Sequence, residues 1–311
     1  MRAVRGQGGE PALVEVDDVP GEGELLSMRS VGICSSDLLY LRVGTERVLG
    51  HELAGVRADG TAVAVEGLYG CGTFEHCLDG RINLCPQSTQ RALGMMADGG
   101  MAEQFRAPSQ RLVDLPAGLD ASSGALVEPA SVSWHGVRVG GVGPDTRVLV
   151  VGAGSVGLLA VAAAQAMGAP EVALAARHPH QRAIGEQLGA TDPDGLYDLV
   201  IEAAGSPDAV HQSIEQLAPG GTVAVLGVHY SPVEVPFLPM LNKEATLITS
   251  MGYCSHDGGR DMQQAAEMLA ARPELADALI THRFPLEDAA EAFRVAADRA
   301  SGAVKVVVEV A

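Results

Sequence analysis

No apolar run in this chain approaches the roughly 20 residues needed to cross a bilayer. Its opening residues, Met1-Arg2-Ala3-Val4-Arg5-Gly6, lack the apolar stretch of a secretory signal. Basic residues are scarce: 21 Lys and Arg stand against 39 Asp and Glu, a formal net charge of -18. Phosphate backbones and anionic lipid surfaces are held mainly by positive charge, which argues against nucleic acid and membrane as partners; the acidity reads as a hydrated surface. Cysteine is sparse, with five residues, three of them between Cys71 and Cys85. That usage suits reduced thiols or metal ligands and not a disulfide framework, so a cytoplasmic location is expected. Internal repeats and low-complexity tracts are also lacking. What remains is an ordinary globular composition, 47% hydrophobic, over 311 residues, enough for two domains with buried cores.

The texture changes once along the chain. Before Gly140-Gly141-Val142-Gly143-Pro144 the sequence is glycine-rich with short β-branched runs, such as Leu13–Val16 and Ala62–Val65, and few long helical patterns. Beyond it, apolar strands alternate with amphipathic helices. Arg147–Val151 reads as a buried strand leading into a helix that runs through Gln165. Glu171–Ala175, a strand beginning at Asp198, Thr222–Leu226 and Ala245–Thr249 continue the series. Strands spaced by helices predict βαβ units and a parallel sheet covered on both faces. A last helix begins near Phe284-Pro285-Leu286-Glu287, and Val304–Val310 closes the chain as a strand. The expected division is one domain over residues 1–137 with 275–311 and a second over 138–274.

The first strand of the alternating region runs into Gly152-Ala153-Gly154-Ser155-Val156-Gly157, a G-x-G-x-x-G turn opening a helix. In that context the pattern predicts a dinucleotide pyrophosphate site, with Ser155 and Val156 at the helix start. Gly152 permits the tight turn, Gly154 the close approach of the pyrophosphate, and Gly157 the packing of helix on strand. An NAD site normally places a carboxylate at the end of the second strand to hold the ribose 2′-hydroxyl. Here the sequence is Ala175-Ala176-Arg177-His178, with Arg182 one turn further on. No carboxylate repels a 2′-phosphate and Arg177 can pair with one, so NADP is expected in preference to NAD.

Ahead of this turn stand Gly32-Ile33-Cys34-Ser35-Ser36-Asp37, Gly50-His51-Glu52 and Leu126-Val127-Glu128-Pro129. A thiolate, an imidazole and a carboxylate leave a position open for water or substrate, as catalytic zinc (Zn2+) requires. With Ile201–Pro207, Pro219-Gly220-Gly221, Thr281–Leu286 and Gly302–Val307, these segments make the chain resemble the zinc-dependent medium-chain dehydrogenases/reductases, the superfamily of alcohol, sorbitol, threonine and butanediol dehydrogenases. The resemblance covers nearly the whole length. It implies an α/β protein with a GroES-like β-rich catalytic domain and a Rossmann doubly wound parallel-sheet cofactor domain. It further implies that Cys34, His51 and Glu128 ligate catalytic zinc and that Glu52 lies close enough to exchange with bound water. Ser36 then takes the first proton-transfer step, Asp37 orients the His51 ligand, and Gly205 joins the cofactor site.

The chain also departs from that pattern. Where the family often has a relay histidine five residues after its Cys ligand, this chain has Leu39, beside Tyr40. The structural-zinc spacing would demand cysteines at 71, 74, 77 and 85, but position 74 is Phe. Structural zinc takes four ligands. The expectation is therefore that Cys71, Cys77 and Cys85 form a degenerate, empty site with Phe74 packed into the vacated space, unless His76 substitutes. The segments between Asp37 and Gly50 and between Gly55 and Cys71 are short for the family, which reshapes the substrate pocket.

Glu128-Pro129 leans toward the polyol and secondary-alcohol branch, so the expected partner is a small alcohol or its ketone, with cyclitols and amino alcohols included. Tyr253 with Ser250-Met251-Gly252 resembles the segment lining the nicotinamide side, and Trp134 and His135 either border the pocket or pack structurally. The Ala245–Thr249 strand resembles the edge through which relatives pair, implying a homodimer or homotetramer. Two other readings stay open: a zinc-independent reductase of the same superfamily acting on enones or quinones, and a non-enzymatic NADPH-binding redox sensor.

Overall fold

The chain begins with a hairpin whose geometry its glycines dictate. Strand β1, Arg2–Gln7, pairs antiparallel with β2, Glu10–Glu15, and the two intervening residues, Gly8 and Gly9, take φ of 61° and 87°. Two successive positive φ values match the right-handed twist of the flanking strands. β3, Glu24–Ile33, is the longest strand; it alternates at first and is wholly buried over its last four residues. It runs through Cys34 into helix α1, Ser35–Arg42, which the sequence pattern did not announce because its apolar periodicity is weak. β4 (Glu52–Val56), β5 (Ala62–Val65), the one-turn helix α2 (Glu75–Leu78), β6 (Gln104–Ala107) and β7 (Leu112–Asp114) complete the N-terminal part. Helix α3, Val127–Val139, follows.

The alternating region has the expected form. β8 (Arg147–Val151), α4 (Ser155–Ala166), β9 (Glu171–Ala175), α5 (Pro179–Gln187), β10 (Tyr197–Glu202), α6 (Pro207–Glu215), β11 (Leu217–Val225), α7 (Phe237–Lys243) and β12 (Thr246–Thr249) form a sheet in the order β12-β11-β10-β8-β9, with every pair parallel. Beyond β9 a single parallel bridge joins Ala173 to Thr191, a sixth strand reduced to one residue pair. Helix α4 is not amphipathic: Gly157 to Ala164 are all buried, and its alanines and glycine allow close approach to the sheet. Leu149, Tyr197, Val200, Ile214 and Val223 centre the core of this region.

The chain then returns. The two-residue strands β13 (Ser255–His256) and β14 (Gly259–Arg260) lead into α8 (Asp261–Ala271), α9 (Glu274–Leu279), β15 (Ile280–Pro285), α10 (Ala289–Ala297) and β16 (Lys305–Glu309). β15 and β16 join the N-terminal strands in a sheet ordered β15-β16-β3-β4-β5-β7, with β6 paired to β3. Its core gathers Leu26, Met28, Val31, Leu53, Phe105, Phe293 and Val308.

This computed structural model describes residues 1–311 as two units, Met1–Glu128 with Cys254–Ala311 and Pro129–Tyr253. The segment after Tyr253 belongs to the first unit for a visible reason. Arg260 donates to the buried Glu66 carboxylate at 2.8 Å and to the Leu112 and Gln110 carbonyls, while Arg111 reaches the other Glu66 oxygen at 3.0 Å. No helix is long and apolar enough to cross a membrane.

Candidate metal centre and dinucleotide turn

The metal-binding candidates are brought together by the central strand pair of the first unit. Cys34 immediately follows β3, His51 immediately precedes β4, and Gly32 faces Glu52 across the β3–β4 ladder. The Glu52 carboxylate lies over Gly32, where a Cβ would stand 1.9 Å from Oε2, so only glycine leaves it room. The donor atoms of Cys34, His51 and Glu52 all fall within 4.8 Å of one another. His51, Glu52 and Glu128 are buried and Cys34 partly so. A soft thiol, an imidazole and a hard carboxylate converging below the surface fit a zinc ion.

Asp37 orders two of these groups. One of its oxygens accepts the Cys34 backbone N–H at 2.8 Å, and the other faces His51 Nδ1 at 3.3 Å, out of line for a hydrogen bond. Burial opposes charge on His51, but Asp37 and Cys34 outweigh it and hold its pKa well above the ordinary imidazole value. The Ser36 hydroxyl sits 3.4 Å from His51 Nε2. Burial, reinforced by Glu52 and opposed by His51, pushes Glu128 up to about 7. Its carboxylate is outside the tight three-residue cluster but within electrostatic reach of it. One participant escaped the sequence reading. Lys305 of β16 donates to both Glu52 oxygens, at 2.6 and 2.7 Å, and to the Ile33 carbonyl at 3.2 Å. Its burial works against the charge, yet the carboxylates and Cys34 keep it charged, above the usual lysine range. The signal was a lone lysine in the apolar run Val304–Val308.

The second cysteine group also converges. The Sγ atoms of Cys71, Cys77 and Cys85 lie within 4.8 Å of one another. Hydrogen bonds from Thr73 and Phe74 bring the Cys71 thiol down to about 6, whereas burial raises Cys77. One expectation is corrected: Phe74 does not fill a vacated interior. Its side chain is 39% exposed and meets His76 edge-on, because the loop from Gly72 to Glu75 lies at the surface.

In the second unit the three fingerprint glycines separate by role. Gly152 has φ 107°, and a Cβ there would stand 2.8 Å from the Ala204 nitrogen. At Gly157 a Cβ would stand 1.9 Å from the Gly152 carbonyl, while at Gly154 it would meet nothing within 4 Å. The outer two glycines thus serve packing, and the middle one leaves open space beside the start of α4, where a pyrophosphate would be cradled. Ser155 opens α4, and the Val156 carbonyl accepts the Ser133 hydroxyl of α3 at 2.8 Å. Ala176 and Arg177 follow β9; Arg177 is exposed and makes no ion pair, whereas Arg182 lies 3.8 Å from Asp192. His135 is buried against Arg138 of its own helix at 2.9 Å, a structural placement.

Glu202 was also missed. It ends β10, fully buried, and accepts the Ala204 and Gly205 N–H groups at 2.9 and 2.7 Å, with His229 Nε2 at 3.2 Å. It therefore ties the loop after β10 to the loop after β11. Gly205 has φ 65° and lies against the Val228 backbone.

Comparison with known proteins agrees along the whole chain. The alcohol dehydrogenase GroES-like domain family matches residues 21–117, and the glucose dehydrogenase C-terminus family matches residues 121–310. L-galactonate-5-dehydrogenase of Escherichia coli is 31% identical over 310 residues, 88% of this chain and 88% of its own length. Bovine sorbitol dehydrogenase is 32% identical over 312 residues, covering 88% and 86%. Among solved structures, a zinc-binding dehydrogenase of Sinorhizobium meliloti bound to NADP superposes with a TM-score of 0.86 at 30% identity, over 99% of this chain and 98% of that one. Galactitol-1-phosphate dehydrogenase of Escherichia coli gives 0.88 at 27% identity, over 99% and 100%.

Proposed function

Since this chain belongs to the zinc-dependent medium-chain dehydrogenase/reductase superfamily of alcohol and polyol dehydrogenases, we propose that it carries hydride between NADP, in preference to NAD, and a secondary alcohol, polyol or cyclitol and its ketone. The observation that carries this reading is the convergence of Cys34, His51 and Glu52 in one buried cluster, with Glu128 beside it. When bound, zinc supplies Lewis acidity to the substrate oxygen and the nicotinamide supplies or accepts the hydride.

The chain's own residues do the rest. Cys34, His51 and Glu128 would hold the metal; Asp37 fixes the Cys34 backbone and lies beside the His51 ring. Ser36 stands where it can pass the hydroxyl proton outward. Because Leu39 has no proton to relay, that route continues through solvent and turnover depends on buffer. Lys305 holds Glu52 as a charged reserve ligand next to the metal. Gly152, Gly154, Ser155, Val156 and Gly157 take the pyrophosphate, and Gly205 shapes the neighbouring loop. Arg177, exposed after β9 with Ala176 in place of a carboxylate, would pair with a 2′-phosphate, and Arg182 would add to the positive field. The polyol names of the relatives and Glu128-Pro129 support the substrate class. A cytoplasmic homodimer or homotetramer fits the reduced cysteines and the exposed edge of β12.

The test is metal content on untagged protein together with kcat/KM for both cofactors over a polyol panel. One metal lost on Cys34→Ala, with higher kcat/KM for NADP, supports the proposal. Full metal retention in that variant removes the zinc reading in favour of the zinc-independent reductase, and absence of turnover across the panel favours the sensor. Arg177→Ala is expected to cost roughly ten- to hundredfold in NADP affinity, one charge-assisted hydrogen bond, with little change for NAD.

A further inference from the structure

Given the dinucleotide reading of the glycine turn, on which this step rests, we infer that His229 is a further dinucleotide-binding residue. Glu202 fixes its ring so that Nδ1 accepts a hydrogen bond from a hydroxyl of the ribose next to the nicotinamide. The strand order places it there. β9, followed by Arg177, lies on one side of β8, while β10 and β11 lie on the other. Open parallel sheets bind ligands at the carboxyl ends of their strands, where the order reverses, here between β8 and β10. With the pyrophosphate at the start of α4 and the adenosine end toward β9, the second ribose and the nicotinamide extend over β10 and β11.

The register sets the strand ends level, since Val151, Glu202 and Val225 pair across β8, β10 and β11. Glycines then let the following loops lie edge to edge. A Cβ on Gly152 would stand 2.8 Å from the Ala204 nitrogen, one on Gly205 3.0 Å from the Val228 carbonyl, and one on Gly227 2.4 Å from Glu202 Oε2. Two strand spacings of about 4.8 Å each separate β8 from β11, so the loop carrying His229 begins one nucleoside's reach from the glycine turn. Glu202 sets the ring. Its Oε1 accepts the Ala204 and Gly205 N–H groups, and its Oε2 faces His229 Nε2 at 3.2 Å. An ionised carboxylate only accepts, which assigns the ring proton to Nε2 and leaves a lone pair on Nδ1. The two nitrogens of an imidazole point away from each other, so a ring anchored on a fully buried carboxylate turns Nδ1 outward. Nδ1 makes no hydrogen bond within the chain, and the side chain stays 16% exposed. Val228 and Tyr230 on either side are exposed, so the loop offers apolar surface around a single acceptor, the usual make-up of a small-molecule site.

Calorimetric titration of the full chain with three probes tests this. Adenosine 2′,5′-bisphosphate carries only the adenine half, 2′-phospho-ADP-ribose adds the second ribose, and NADPH adds the nicotinamide. His229→Phe is expected to leave the first unchanged and to weaken the other two alike, roughly fivefold to tenfold for one hydrogen bond. His229→Gln, whose amide can donate to Glu202 and accept from a hydroxyl, should recover part of the loss. Equal weakening of all three probes would reduce the residue to a loop support and overturn the proposal. Weakening of none, or of NADPH alone, would overturn the ribose contact as well. Ring-nitrogen NMR of the unaltered protein gives a check that needs no folded variant. An Nε2–H tautomer is expected, with an Nδ1 resonance that moves with 2′-phospho-ADP-ribose and not with adenosine 2′,5′-bisphosphate; an Nδ1–H tautomer overturns the assignment. If the unaltered protein favours probes without the 2′-phosphate, the NADP preference fails on its own, and the same comparison with AMP, ADP-ribose and NADH still decides the role of His229. Binding of neither series overturns both.

Discussion

Lys305 and Glu52, one charge of each sign, are paired at the candidate metal centre with 3% and 1% of the residue exposed. The pair's stability value lies less in attraction than in what its removal leaves behind, an uncompensated buried charge. Lys305→Met is expected to destabilise the protein by about 3–5 kcal/mol, and the double variant with Glu52→Gln should recover much of that loss. Denaturant unfolding of the two single variants and the double checks it; additive losses would mean that the pair is not coupled. The contact is long in sequence, 253 residues, so no local pattern could reveal it. Cys34, His51 and Glu128 were candidates because their residue types and order suit the chemistry; the structure brings Cys34 and His51 together with Glu52. Glu202 was not, since its partners are backbone N–H groups created by the loop itself.

Among the elements, the glycine turn and the loop after β10 act together. The Cβ positions divide the fingerprint into folding and binding roles, which gives opposite expectations for two similar changes. Gly157→Ala should lower stability strongly, because the added methyl meets the Gly152 carbonyl, and a thermal melt without cofactor will read it. Gly154→Ala should fold normally yet weaken dinucleotide binding, measured by calorimetric titration, since its methyl enters open space needed by the ligand. Equal melting losses in the two would contradict this division. Glu202→Gln should weaken cofactor binding roughly tenfold, by loosening the Ala204–Gly205 loop that packs over Gly152. The strands of this region followed from their apolar runs, and Arg147–Val151 and Glu171–Ala175 lie where the pattern put them. Helix α1 did not, because eight residues with a weak stripe are held by capping at Cys34 and Asp37 and by packing more than by periodicity.

Over the whole molecule, the second unit carries an open sheet edge at β12 and an apolar helix face above the same strands. Phe237 and Leu241 of α7 are 78% and 72% exposed, and Leu247 of β12 is also uncovered. An edge strand with such a neighbourhood pairs readily with another copy. If the proposed homodimer or homotetramer pairs through this edge, Leu241→Glu together with Leu247→Lys should shift the protein to a smaller species by light scattering, with the melting curve of the separated chains retained; an unchanged mass would overturn pairing at β12. By itself the sequence determined the class of each half, the glycine turn that opens α4, the absence of a carboxylate at the end of β9 and the residue types of the candidate metal ligands, because these are written in short spacings and residue chemistry. Only tertiary structure decided that Lys305 closes on Glu52, that three cysteines meet within 4.8 Å while Phe74 stays outside, and that residues 254–274 join the first unit along with the end of the chain. Those outcomes depend on strand register and burial between segments far apart in the chain, and no local pattern encodes which distant backbone will arrive beside a given side chain.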